Sequence, residues 1–159
     1  MQQARAIPVA VQPAFDGTLR LPLPTIFYRR YALLPPIKEV RGQIGAWGQV
    51  GQERTVVTSD GGTMREVLTA VDAPHAFSYR LSEITGPMRP LVDHIEGRWE
   101  FTSAGTGTLI TWHWTLYPRG LGAPVLPLIV KMWLRYAQRA LEQLSALLLA
   151  PEAPGRPPS

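Results

Sequence analysis

The stretch from Val125 to Ala150 dictates the architecture of this chain. Leu126, Ile129, Val130, Trp133, Ala137, Ala140, Leu141, Leu144 and Leu148 recur there at three- and four-residue steps. Lys131, Arg135, Gln138, Arg139, Glu142 and Gln143 fill the opposite arc. The pattern predicts one amphipathic helix of roughly 24 residues, about 36 Å long at 1.5 Å per residue. Pro124 and Pro127 suit its start, where a missing N–H costs little, and Pro151 ends it. Such a stripe needs a long apolar surface to lie on, and the residues before it read as strands. The expected architecture is a long helix across a curved antiparallel sheet, with a cavity between them.

Those strands alternate with period 2. They are placed near 6–12, 37–47, 52–59, 63–72, 76–84, 92–103 and 107–117, seven in all. Turn residues separate them: Asp60-Gly61-Gly62, Asp72-Ala73-Pro74, Gly86-Pro87 and Gly105-Thr106-Gly107. The segment from Asp16 to Leu34, broken by Pro22 and Pro24, predicts two short helices, with Asp16 as a helix N-cap. The fold class is therefore α+β: strand, two short helices, six strands, long helix. With 159 residues, 45% of them apolar, the chain suits a single domain over 6–150. Residues 1–5 are expected to be a flexible tail and 151–159 a disordered Pro-rich one.

Composition narrows the chemistry. There is no cysteine, which excludes disulfides, a thiolate nucleophile and thiolate metal sites. The three histidines lack metal spacing, and there is no Gly-x-Ser-x-Gly elbow, Gly-Lys-Thr loop or dinucleotide fingerprint, so neither a metal nor a cofactor is expected. A net charge of +4 is spread along the chain rather than clustered, so no nucleic-acid partner is expected and membrane contact is at most transient. No run of 18 apolar residues marks a membrane span and no signal-peptide layout begins the chain, giving a cytoplasmic expectation. The oligomeric state is left as monomer or homodimer.

Strand parity sorts the candidate site. Met64, Glu66, Leu68 and Ala70 share one face; so do Phe77, Tyr79 and Leu81; so do Gly97, Trp99 and Phe101; so do Ile110, Trp112 and Trp114. The same rule sends Lys38 inward with Val40, Gly42, Ile44 and Ala46. Lys38 and Glu66 thus fall on apolar faces, where an unpaired charge is very costly. Either they pair within a core or they project into a wet cavity.

Val50-Gly51-Gln52-Glu53-Arg54, Asp60-Gly61-Gly62 with Thr63-Met64-Arg65-Glu66, and Asp72-x-Pro74 follow in a characteristic order. Phe77-Ser78-Tyr79 and Gly105-Thr106-Gly107-Thr108 leading into Trp112 and Trp114 continue it. With this order the chain resembles the START-related helix-grip superfamily (SRPBCC) over about 7–149. Within that superfamily it is most similar to the polyketide cyclase/dehydrase and lipid-transport family. The resemblance implies a pocket for a hydrophobic small molecule or lipid between the sheet and the last helix. Plant abscisic acid receptors, distant members, place a lysine, an arginine and a glutamate in that pocket, and spacing from Val50-Gly51 puts these on Lys38, Arg54 and Glu66. Ser59 to Thr63 is too short for the receptors' mobile gate loop.

The expected ligand-binding residues are Lys38, Arg54, Met64, Glu66, Tyr79, Trp99, Trp112, Trp114, Ile129 and Trp133. A partner protein whose cavity is vestigial is a third reading, weighed against by the inward Lys38 and Glu66; two ligand-handling functions follow. One is a carrier or sensor of a hydrophobic molecule, in which Glu66 orients the ligand. The other is a polyketide cyclase or dehydrase, in which Glu66 and Tyr79 are catalytic and move protons.

Overall fold

The computed structural model describes residues 1–31 and 34–150. The expected tail at 151–159 lies outside the described residues. Seven strands form one antiparallel sheet: β1 Gln2–Ile7, β2 Ile37–Arg41, β3 Glu53–Thr58, β4 Thr63–Asp72, β5 Ala76–Ser82, β6 Val92–Ala104 and β7 Gly107–Pro118. Their order across the sheet is β1-β7-β6-β5-β4-β3-β2, so the first strand pairs with the last and every later neighbour is a sequential hairpin. Helices α1 (Val11–Arg20) and α2 (Leu23–Ile26) follow β1, and α3 (Leu126–Leu149) ends the described chain. This is the helix-grip architecture expected from the amphipathic stripe and the alternating segments.

The stripe does what its spacing predicts. Ile129, Met132, Trp133, Ala137, Ala140, Leu141 and Leu144 are buried, while Lys131, Arg135, Gln138, Arg139 and Glu142 are exposed. Trp133 is fully buried, against Trp112 and Trp114 of β7 with ring centroids 5.1 and 5.4 Å away. None of the described helices is long and apolar enough to cross a membrane.

The N-terminus departs from expectation. Residues 2–7 form β1, aligned from Gln2 opposite His113 to Ile7 opposite Thr108, so the supposed tail is an edge strand. The Met1 ammonium extends that pairing by donating to the Trp114 carbonyl at 2.9 Å. The strand expected at 6–12 gives way to α1, which starts at Val11. Pro13 fits its first turn, where no intrahelical N–H is needed. The burial of Ala14, Phe15, Thr18 and Leu19 outweighs the short Ile7–Val9–Val11 alternation. Asp16 lies inside α1, and Ala10 takes the N-cap position.

Two bulges correct the strand faces. In β2, Ile37 opposes Thr58 and Val40 opposes Val56, so Lys38 and Glu39 together face the single residue Val57. The extra residue turns Ile37 inward and Lys38 out to solvent. In β4 the register shifts between Leu68 and Ala70, exposing Ala70 and placing Val71 against the core. β2 also stops at Arg41; Gly42 and Gly45 take positive φ and Ile44 is exposed.

Candidate functional site

The concave face of the sheet, α1, α2 and the loop before β3 enclose a cavity of about 120 Å³. That is smaller than typical small-molecule sites of roughly 300–1,000 Å³. Its wall is mostly apolar: Leu19, Ile26, Phe27, Trp47, Val56, Leu81, Ile95 and the Trp99–Trp112 pair. The two indoles lie parallel, 7° apart at 4.9 Å, on adjacent strands. At the rim the β3–β4 turn meets the segment after β5. Thr63 N–H donates to Thr85 Oγ1 and Thr85 N–H to the Thr63 carbonyl, both at 2.9 Å.

Of the ten expected ligand contacts, the cavity wall brings together Arg54, Met64, Glu66, Tyr79, Trp99, Trp112 and Trp114. Three are not there. Lys38 faces solvent because of the β2 bulge. Ile129 and Trp133 are buried in the core instead and do not line the cavity, the Trp133 ring packing against those of Trp112 and Trp114. The helix reaches the cavity through Tyr136, which stacks on Phe27 at 5.9 Å and donates to the Pro35 carbonyl at 3.3 Å. Sequence reasoning missed Tyr136 and Trp47. The signal for Tyr136 was its place three residues after Trp133, beside the stripe rather than on it.

Arg54 and Glu66 are directly opposed on β3 and β4, both inward by parity. Arg54 Nε donates to Glu66 Oε2 at 2.7 Å and Nη2 to Oε1 at 3.3 Å, a two-pronged pair. Arg54 Nη1 donates to Gln43 Oε1 at 3.1 Å, and its guanidinium carbon lies 3.8 Å from the Trp47 ring centroid. Both charged side chains are only 6% exposed. Each is therefore the other's counter-ion, and no charge is left for a ligand to balance.

Tyr79 supplies the second polar feature. Its hydroxyl accepts a hydrogen bond from Trp112 Nε1 at 2.8 Å. Burial pushes that hydroxyl well above the usual tyrosine range; the Trp112 bond opposes the shift and the nearby Glu66 charge adds to it. Tyr79 is a neutral phenol. The Trp114 N–H lies close enough to favour the phenolate form but has no hydrogen-bond partner among the described residues. No group of three or more His, Asp or Glu side chains among the described residues is arranged to hold a metal.

Residues 25–148 match the family model for polyketide cyclase/dehydrase and lipid transport. The chain belongs to that family. Among solved structures it is similar to Ara h 8.0201, at 16% identity and a TM-score of 0.70, with 94% of this chain and 96% of that one covered. It is also similar to the ginseng major latex-like protein 151 from Panax ginseng (16% identity, TM-score 0.67, 94% and 97% covered). TTHA0849 from Thermus thermophilus is comparable, at 18% identity and a TM-score of 0.67, with 96% and 99% covered. At these identities the likeness is one of fold. A search of curated proteins returns no match.

Proposed function

We propose that this family member is a carrier or sensor that holds a hydrophobic small molecule in the cavity between the sheet and the helices. The observation that carries this reading is the state of the polar groups in an otherwise apolar wall. Both Glu66 oxygens are engaged by Arg54, and Tyr79 is a neutral phenol tied to Trp112. Neither group therefore presents an unpaired charge to the cavity. The carboxylate that a proton-transfer mechanism would use as its base here carries a two-pronged Arg54 partner at 6% exposure, which favours carriage over cyclisation. The free volume suits a ligand of about one ring, comparable with the roughly 150 Å³ engineered apolar cavities that take up benzene. A longer lipid chain requires the rim at Thr63 and Thr85 to open.

Native mass spectrometry of the protein from its own host tests this by seeking a co-purifying apolar molecule. Incubation with that molecule should give binding without conversion. Product formed by the wild type, and lost in a Glu66→Gln variant that still binds, would instead assign a cyclase-type reaction.

A further inference from the structure

Deepening the carrier reading, on which it rests, we propose that the ligand bears one neutral hydrogen-bond acceptor, a carbonyl or ether oxygen, received by the Trp114 indole N–H and the Tyr79 hydroxyl. Trp114 is 9% exposed, lines the cavity, and its buried Nε1 has no partner among the described residues. Buried donors without acceptors are rare in native structures and ask for an explanation. Trp133 Nε1 and His113 Nε2 also lack a hydrogen-bond partner, but neither residue lines the cavity, so among the described residues Trp114 is the cavity-wall residue with a wholly unpaired buried polar atom.

The second donor follows from the Tyr79 hydrogen bond. The phenol oxygen accepts from Trp112, and its own proton has no acceptor among the described residues. Burial keeps that proton in place. Tyr79 and Trp114 flank Gly97 in one cross-strand row, Tyr79 opposite Gly97 and Gly97 opposite Trp114. The missing side chain in the middle lets the phenol extend across β6 toward β7. Two donors thus share one small region of an apolar wall; the Trp114 N–H lies near the Tyr79 oxygen, yet neither donor has an acceptor in hydrogen-bond geometry among the described residues.

The same geometry selects against charge. A carboxylate placed there would be buried near Glu66, while the cavity-wall cation Arg54 already pairs with that glutamate. Two neutral donors match a neutral oxygen.

Cumene, acetophenone and benzoate have the same number of heavy atoms and differ mainly in polarity, so they isolate this preference. Calorimetric titration should show the acetophenone-to-cumene affinity ratio falling by roughly five- to tenfold in Trp114→Phe and in Tyr79→Phe, with benzoate the weakest ligand of the wild type. In wild-type protein labelled with nitrogen-15, the Trp114 indole proton should move downfield with acetophenone and not with cumene, a readout that needs no variant. An unchanged ratio in both variants, a silent Trp114 indole, or tightest binding of benzoate would overturn the inference while leaving a cavity that binds apolar molecules. Failure of all three probes to bind would overturn the carrier reading itself.

Discussion

The phenol of Tyr79 lies directly over the backbone of Gly97, its partner across the β5–β6 pair. A methyl group built on Gly97 would fall 2.0 Å from Tyr79 Cζ and 2.3 Å from its hydroxyl oxygen. Gly97 is therefore the vacancy that aims Tyr79 at Trp112.

Gly97→Ala should cost about 1–3 kcal/mol by overpacking, although alanine normally favours a strand interior over glycine. In a Tyr79→Ala background the same change should be neutral or slightly stabilising. Urea unfolding of the four proteins gives the coupling; additive costs would mean that the ring does not need the gap.

The Arg54–Glu66 pair makes a prediction of opposite character. Glu66→Gln leaves the Arg54 charge buried without a counter-ion and should destabilise by about 3–5 kcal/mol. Replacing both residues together, as Arg54→Met with Glu66→Leu, should recover most of that loss, because no charge then needs burying. Chemical denaturation reads both values. A double variant as unstable as the single one would mean that Gln43 and Trp47 depend on Arg54 for more than its charge.

Most of the architecture was legible because two periods, 3.6 and 2, dominate the sequence. The stripe through Ile129, Trp133 and Ala137 and the Ile110–Trp112–Trp114 alternation each fix one face of one element. What the sequence could not show were interruptions to those periods. Lys38 reads as inward only if β2 counts straight from Val40, and the bulge opposite Val57 adds one residue to that count. Ala70 fails for the same reason on β4. Trp133 has the inward parity of a cavity residue, but whether it touches free space or another indole depends on how Trp112 and Trp114 pack, which one-dimensional spacing does not encode. Gln2 to Arg5 carry little apolar signal, and their order comes from backbone pairing with β7.

That correction about Trp133 can be tested directly. Trp133→Ala should cost about 3–5 kcal/mol of stability, since the indole is core. Met64→Ala, on the cavity wall and only partly buried, should cost less and change ligand affinity more. The combination of a thermal melt and a cumene titration for each variant separates the two roles. A Trp133 variant of normal stability and lost binding would return that residue to the site.

Alkaline pH offers a further check. Burial raises the hydroxyls of Tyr79 and Tyr136 above their ordinary value of 10.0. Above about pH 10 the unfolded chain releases these protons and the folded one holds them, so stability contributed below that pH is lost as pH rises. Each of the two tyrosines should add up to about 1.4 kcal/mol per pH unit to that decline. Denaturation midpoints between pH 9 and 12 should fall less steeply in Tyr79→Phe and Tyr136→Phe. Phenolate absorbance from either residue before unfolding would contradict their burial.

On the carrier reading, an apolar molecule enters the space bounded by Met64, Val56 and the paired Arg54 and Glu66. Calorimetry with cumene on the wild type and on Met64→Trp, whose added ring fills that space, tests it most directly. The wild type should bind one molecule saturably and gain thermal stability with ligand concentration, and the filled variant should lose both. Equal binding by the two proteins, or none by the wild type, would contradict it.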